Sequence, residues 1–235
     1  MKPGLEQLPA NFEGRNVTFQ RARSNEQRDQ RRSVILTTAT AMLGEMPVAD
    51  ITLNELSRRV GLAKSNVLRY FESREAVLLE LLSTQLDEWI SALDFSDVAV
   101  GDRLQVRAER VGGLVAASLG GRPALCDLIS AQAAVLERNV STEVVLAHKR
   151  AVQNSVREFG AKLRASIPEA DDSDVYQVIA STLLMTSGAW PRSQPSEALT
   201  AAYEADPSVG GHDFDFAGFV QQTVAFTITG LLGRK

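Results

Sequence analysis

A single cysteine, Cys126, and two histidines, His148 and His212, are all that this 235-residue chain has of thiol and imidazole chemistry. One thiol excludes an internal disulfide and fits a reducing compartment. No pair of His or Cys stands at metal-ligand spacing, so neither a metal nor another cofactor is expected. There is no GxSxG elbow and no GK[ST], and neither Gly112-Gly113 nor Gly120-Gly121 follows a strand, so no catalytic chemistry is expected. No apolar run reaches membrane-spanning length, and the start MKPGLEQLPANFEGR lacks the core of a signal peptide. The expectation is a cytoplasmic protein without membrane contact. Strand-period alternation and internal repeats are missing too. A net charge of −4 excludes a general polyanion binder.

What charge there is lies unevenly. Residues 15–32 hold six Arg (Arg15, Arg21, Arg23, Arg28, Arg31, Arg32) against only Glu26 and Asp29, so any nucleic-acid surface must be a patch near the N-terminus. With 44% hydrophobic residues, the chain can bury one large core or two smaller ones. Helical spacing dominates throughout. Ile35, Ala39, Met42, Leu43 and Met46 form a stripe that predicts a helix from about Asn25 to Met46, stopped by Pro47. Ser73 opens a long Leu-rich helix to about Leu93, long enough to connect two domains. Further helices are predicted at 103–119, 123–138, 142–166, 174–187 and 213–232, with a linker at 94–102 and a short helix near Ser196–Leu199. The run Asp171-Asp172-Ser173-Asp174 suits a helix N-terminus better than a cation site, because no further ligand is placed to close one.

Residues 51–82 carry the most specific signal. Thr52 and Glu55 have capping-box spacing, Leu53, Leu56 and Val60 share one face, and Gly61 suits the end of the helix. A second helix, Lys64 to Phe71, turns Val67, Leu68 and Phe71 toward a core and leaves Lys64, Ser65, Asn66 and Arg69 outward. Two short helices across such a turn make a helix-turn-helix, whose second helix fits a major groove. The order of these residues, with Tyr70-Phe71 followed by Ser73-Arg74-Glu75 and a Leu-rich helix, resembles the tetracycline-repressor (TetR) family over residues 31–90. The chain departs from that pattern at Ala63, where Ser is common, at Leu68, where Tyr is common, and at Arg74, where Lys is common.

The residues and the resemblance together give an all-α expectation: an N-terminal three-helix bundle with a helix-turn-helix, then a C-terminal helical domain for ligand binding and dimerisation. The expected division is 1–22 as a mobile arm, 23–93 as the DNA-binding domain with its connecting helix, and 94–235 as the remainder. The DNA-binding candidates are Lys64, Ser65 and Asn66 for base edges. Thr52, Arg69, Tyr70, Arg74, Arg28, Arg31 and Arg32 are the candidates for phosphates and flanking positions. An apolar cavity with a few polar groups would hold the effector, with Gln132, His148, Asn154, Tyr176 and Thr186 as polar candidates and Phe159, Met185 and Trp190 as walls. The breadth of the apolar face at 213–232 suggests burial on two sides, so 175–187 and 213–232 are expected to form a four-helix homodimer interface. The functional expectation is a ligand-responsive transcriptional regulator, in the sense of a repressor, that binds a pseudo-palindromic duplex operator as a dimer and is released by a small molecule. The alternative is a helical small-molecule-binding or scaffolding protein whose helix-turn-helix does not read DNA.

Overall fold

The computed structural model describes residues 13–210 and 214–233, with side chains from residue 26 onward. Residues 1–12 of the expected arm, the side chains of Arg15, Arg21 and Arg23, and the residues His212 and Asp213 lie outside the description. Ten α-helices and two short 3₁₀ turns, with no strand, make up the described residues.

Helix α1 spans Glu13–Leu43, beginning well before the predicted start and inside the segment expected to be an arm. Its buried side, Ile35, Ala39, Met42 and Leu43, is the stripe read from the sequence. Pro47 then opens a 3₁₀ turn, Val48–Asp50. Helix α2 (Leu53–Val60) follows, closed by Gly61 at φ 71°, the only positive φ among the described residues. There the Gly61 and Leu62 N–H groups donate to the carbonyls of Arg58 and Ser57, at 3.2 and 3.0 Å. Helix α3 is only Lys64–Val67, not the predicted Lys64 to Phe71. Past Val67 the backbone tightens, with Arg69 N–H donating to Asn66 and Tyr70 N–H to Val67 at 3.2 and 2.9 Å. The chain must straighten there to reach Ser73, the extended N-cap of α4, at φ −156° and ψ 171°.

Helix α4 (Arg74–Ala92) runs from the head into the body, burying Leu78, Leu82, Leu86, Trp89 and Ile90. The body is built from α5 (Leu104–Gly120), α6 (Pro123–Gln132), α7 (Thr142–Ser166), α8 (Asp172–Arg192), α9 (Glu197–Ala205) and α10 (Phe216–Leu232). The predicted 123–138 helix breaks after Gln132 and resumes as a 3₁₀ turn, Leu136–Arg138. Helix α10 lies along α5 and α8, while α7 packs on α4. Two helices in the body meet unusually closely. A side chain on Gly112 of α5 would come within 2.5 Å of the Gln221 carbonyl oxygen of α10. Asp171 and Asp174 form a reciprocal capping box at the start of α8, the helix-start role read from the acidic run.

Head and body are joined by hydrogen bonds as well as by α4. The Val48 N–H donates to Asp127 of α6 at 2.6 Å. The Ser141 N–H, at the start of α7, donates to Glu72, and the Ser73 hydroxyl donates to the Asn139 carbonyl at 3.3 Å. At the other end of α4, the Lys162 ammonium of α7 donates to the carbonyls of Ile90, Ser91 and Leu93 at 2.8, 2.6 and 2.9 Å. A cation there satisfies carbonyls that the helix end leaves without partners.

Candidate nucleic-acid interface

Helix α2 buries Leu56 and Ser57 and fixes the turn that presents α3. The Thr52 hydroxyl accepts the Glu55 N–H at 3.1 Å, but only half of the predicted capping box forms. The Glu55 carboxylate turns instead to Arg58, at 2.8 and 2.6 Å, and to Arg59, at 2.9 Å. Two guanidiniums hydrogen-bonded to it hold its pKa down at about 2. Arg58 and Arg59 are therefore largely neutralised on the flank of the head, and Arg59 also bonds Glu45 at 2.6 Å.

Lys64, Ser65 and Asn66 are all exposed on the single turn of α3, and their side chains make no hydrogen bond among the described residues. Val67 and Phe71, on the opposite side, are buried. Beyond α3, Arg69 is exposed and Tyr70 half-buried. They face α1 across a groove of about 760 Å³ that is also lined by Gln27, Arg28, Gln30 and Arg31. Arg28, Arg31 and Arg69 thus converge on one depression, and none makes an ion pair among the described residues. The groove lies beside the exposed turn of α3 and is its cationic extension. Gln27 and Gln30 were not among the predicted contacts. The signal was present, since Gln27, Gln30, Arg31 and Val34 follow the i, i+3, i+4, i+7 period of one helix face.

Two of the arginines expected at phosphates, Arg74 and Arg32, are engaged by acceptors within the protein. Arg74 is half-buried, with its guanidinium donating to the Val48 carbonyl and lying 3.5 Å from Glu75. It ties the 3₁₀ turn to the start of α4 instead of facing outward. Arg32 donates to Glu80 and to the Tyr70 carbonyl, and its guanidinium sits 4.1 Å from the centre of the Phe71 ring. Both arginines are held by internal acceptors that the linear sequence does not bring next to them.

The eight predicted effector residues are not brought together. Phe159 is core, edge-on to Phe95 at 6.3 Å. Trp190 packs edge-on to Phe216 at 5.2 Å. Asn154 is exposed, as are Tyr176 and Met185 on α8, so none of the three belongs to the buried interior. Thr186 is fully buried, and its hydroxyl finds no partner among the described residues. Gln132 and His148 do meet, in a structural relay. The Gln132 amide nitrogen lies 3.0 Å from His148 Nε2 and 2.7 Å from Glu137, while His148 Nδ1 lies 2.8 Å from the Ser83 hydroxyl. An amide nitrogen only donates, so Nε2 accepts and Nδ1 carries the proton. Burial first, and the adjacent Lys149 charge second, push the His148 pKa below its ordinary value.

Comparison with known proteins agrees with this geometry. A family model described as "Bacterial regulatory proteins, tetR family" matches residues 35–81, and one described as "Tetracyclin repressor-like, C-terminal domain" matches residues 83–235. The HTH-type transcriptional regulator EthR, from Mycobacterium tuberculosis and Mycobacterium bovis, is 38% identical over 65 residues. That match covers 28% of this chain and 30% of the relative, so it spans under a third of the relative's length. Among solved structures, a TetR transcriptional regulator from Rhodococcus sp. RHA1 has a TM-score of 0.52 at 16% identity, covering 88% of this chain and 99% of its own. The fatty acid degradation regulator FadR from Bacillus halodurans has a TM-score of 0.51 at 12% identity, covering 84% and 98%. At those identities the likeness is one of fold.

Proposed function

The chain belongs to the TetR family of bacterial transcriptional regulators, and on that premise we propose that it is an effector-responsive repressor binding a pseudo-palindromic operator as a homodimer. The observation that carries the reading is the exposure of Lys64, Ser65 and Asn66 on one helical turn, beside the groove of Arg28, Arg31 and Arg69. A short helix end of this kind enters a major groove, where Asn pairs with adenine and Lys with guanine. The arginines beside it supply phosphate contacts, and Thr52, exposed at the start of α2, adds a helix N-terminus. Two-fold symmetry then doubles the contact. Helices α8 and α10 are the proposed dimer surface, since Leu184 and Phe226 stand 69% and 71% exposed on them. A small molecule bound in the body would favour one spacing of the two heads over another.

Selection of duplexes from random DNA by the purified protein, at a stated salt concentration, tests the reading. Enrichment of a palindrome with half-sites about one helical turn apart, or somewhat more, is the expected result. A protein that enriches nothing would instead be a helical binding protein with a silent helix-turn-helix. On the enriched site, Asn66→Ala is expected to weaken binding by roughly 1–3 kcal/mol and relax preference at one base position. If affinity and preference both survive in competition binding, α3 is not the reading element.

A further inference from the structure

Between the head and the body lies a cleft of about 480 Å³, bounded by the turn after α3, the first half of α4 and the first turns of α7. That volume is within the usual range for a small-molecule site, roughly 300–1,000 Å³. Its apolar surface is formed by residues that include Leu79, Val144 and Ala147. Three of the four Asp, Glu, Lys and Arg residues that line it are carboxylates: Glu72, Glu80 and Glu143. Among the described residues Arg32 is the only Lys or Arg lining it, and that guanidinium is already shared between Glu80 and the Tyr70 carbonyl. His148, at the wall, is buried and neutral in its relay with Ser83 and Gln132. Glu143 is exposed and makes no ion pair among the described residues.

We propose that this cleft binds an amphipathic organic cation, an alkyl- or arylammonium whose apolar part covers this apolar surface and whose charged head meets Glu143 and Glu80. A carboxylate or phosphate ligand would meet Glu72, Glu80 and Glu143 with only Arg32, already paired with Glu80, to offset them. A neutral ligand would leave them without a new partner. An ammonium gains both the apolar contact and the charge. It also competes with Arg32 for Glu80. Arg32 is the side chain that holds the Tyr70 carbonyl and covers the Phe71 ring, so its displacement frees the turn carrying Arg69. Ligand binding and DNA binding then oppose each other, each lowering the other's affinity by the same factor. This consequence for DNA rests on the regulator reading given above; the binding itself does not.

The test uses three probes with one tail, octylammonium, octanol and octanoate, titrated calorimetrically into the full chain. Octylammonium is expected to bind tightest and octanoate weakest. Glu143→Gln should weaken octylammonium about fivefold, the worth of a partly screened ion pair, and leave octanol unchanged. Ala147→Phe, at an exposed position on α7, should fill the cleft and abolish binding while leaving operator affinity without probe intact. The proposal is overturned if octanoate binds as well as octylammonium, if Glu143→Gln changes nothing, or if Ala147→Phe binds the amine normally. Fluorescence anisotropy on the selected operator separates the two readings. Octylammonium binding by a chain that selects no operator defeats the regulator reading alone. Operator binding with no uptake of octylammonium defeats the cleft proposal alone.

Discussion

Arg107 shows how one side chain can fasten two helices. It is only 4% exposed, and its guanidinium donates to the Asp102 and Ser166 carbonyls, at 3.0 and 3.1 Å, and to both oxygens of Glu169. Arg107→Ala leaves two carbonyls without donors and should cost about 2–3 kcal/mol in denaturant unfolding. Arg107 holds the Glu169 pKa at about 2, below its usual 4.5. A carboxylate pKa lowered by folding adds stability that is complete above pH 4.5 and disappears as the pH falls to about 2. The gap between wild type and Arg107→Ala should therefore be flat above pH 4.5 and narrow below it. A gap that does not change down to pH 2 would separate the effect from the ion pair. Nothing in the linear sequence pairs residues 107 and 169, and the same holds for Arg32 with Glu80 and Arg74 with Val48. The arginines of the head were legible as charge, but which of them stay free for phosphate depends on acceptors that only the folded chain supplies. His148 gave the opposite difficulty. A lone histidine in a helix gives no sign of whether its neighbours in space are a ligand or, as here, Ser83 and Gln132.

At the scale of elements, most helices were legible because caps and periodicity agree locally. Ser73, Ser141 and Ser196 each cap the helix they precede, with side chains accepting N–H groups at 3.1, 3.4 and 3.2 Å. Ends set by tertiary packing were less legible. Helix α3 stops after one turn because the chain must straighten before Ser73, and α8 runs on to Arg192, beyond the predicted end. The close approach of α5 and α10 was not legible either, because Gly112-Gly113 reads equally well as a flexible pair. In the fold, Gly112 lets the two backbones touch. Gly112→Ala is expected to destabilise the body by about 1–3 kcal/mol, since the obstructing atom is a backbone carbonyl that cannot rotate away. Gly113→Ala, whose added carbon would lie 3.7 Å from the end of the Gln221 side chain, should cost much less. Equal midpoints for the two variants in thermal unfolding would show that α10 shifts freely along α5.

For the whole molecule, the division into a reading head and a helical body was legible from the capped helix-turn-helix and the long helix that follows it. The surroundings of the expected effector residues were not, because nothing in the local pattern tells that Asn154, Tyr176 and Met185 are exposed. If α8 and α10 form the dimer surface, Phe226→Asp combined with Leu184→Asp should give monomers in sedimentation while helical content by circular dichroism is kept. Operator binding should then weaken steeply and lose its dependence on two half-sites. A double variant that remains dimeric would move the interface elsewhere. Helix α4 adds a mechanical consequence to this picture. Its 19 residues make a rod of about 28 Å, gripped by Lys162 at the body end and carrying the Ser73 and Arg74 joint at the other. Such a rod is a lever arm: a tilt of about 5° about the Lys162 grip sweeps the far end through about 2.5 Å. Two such arms, related by the two-fold axis of the proposed dimer, would change the span between heads by up to twice that, so a small rearrangement in the body would put both heads out of step with the helical repeat of DNA.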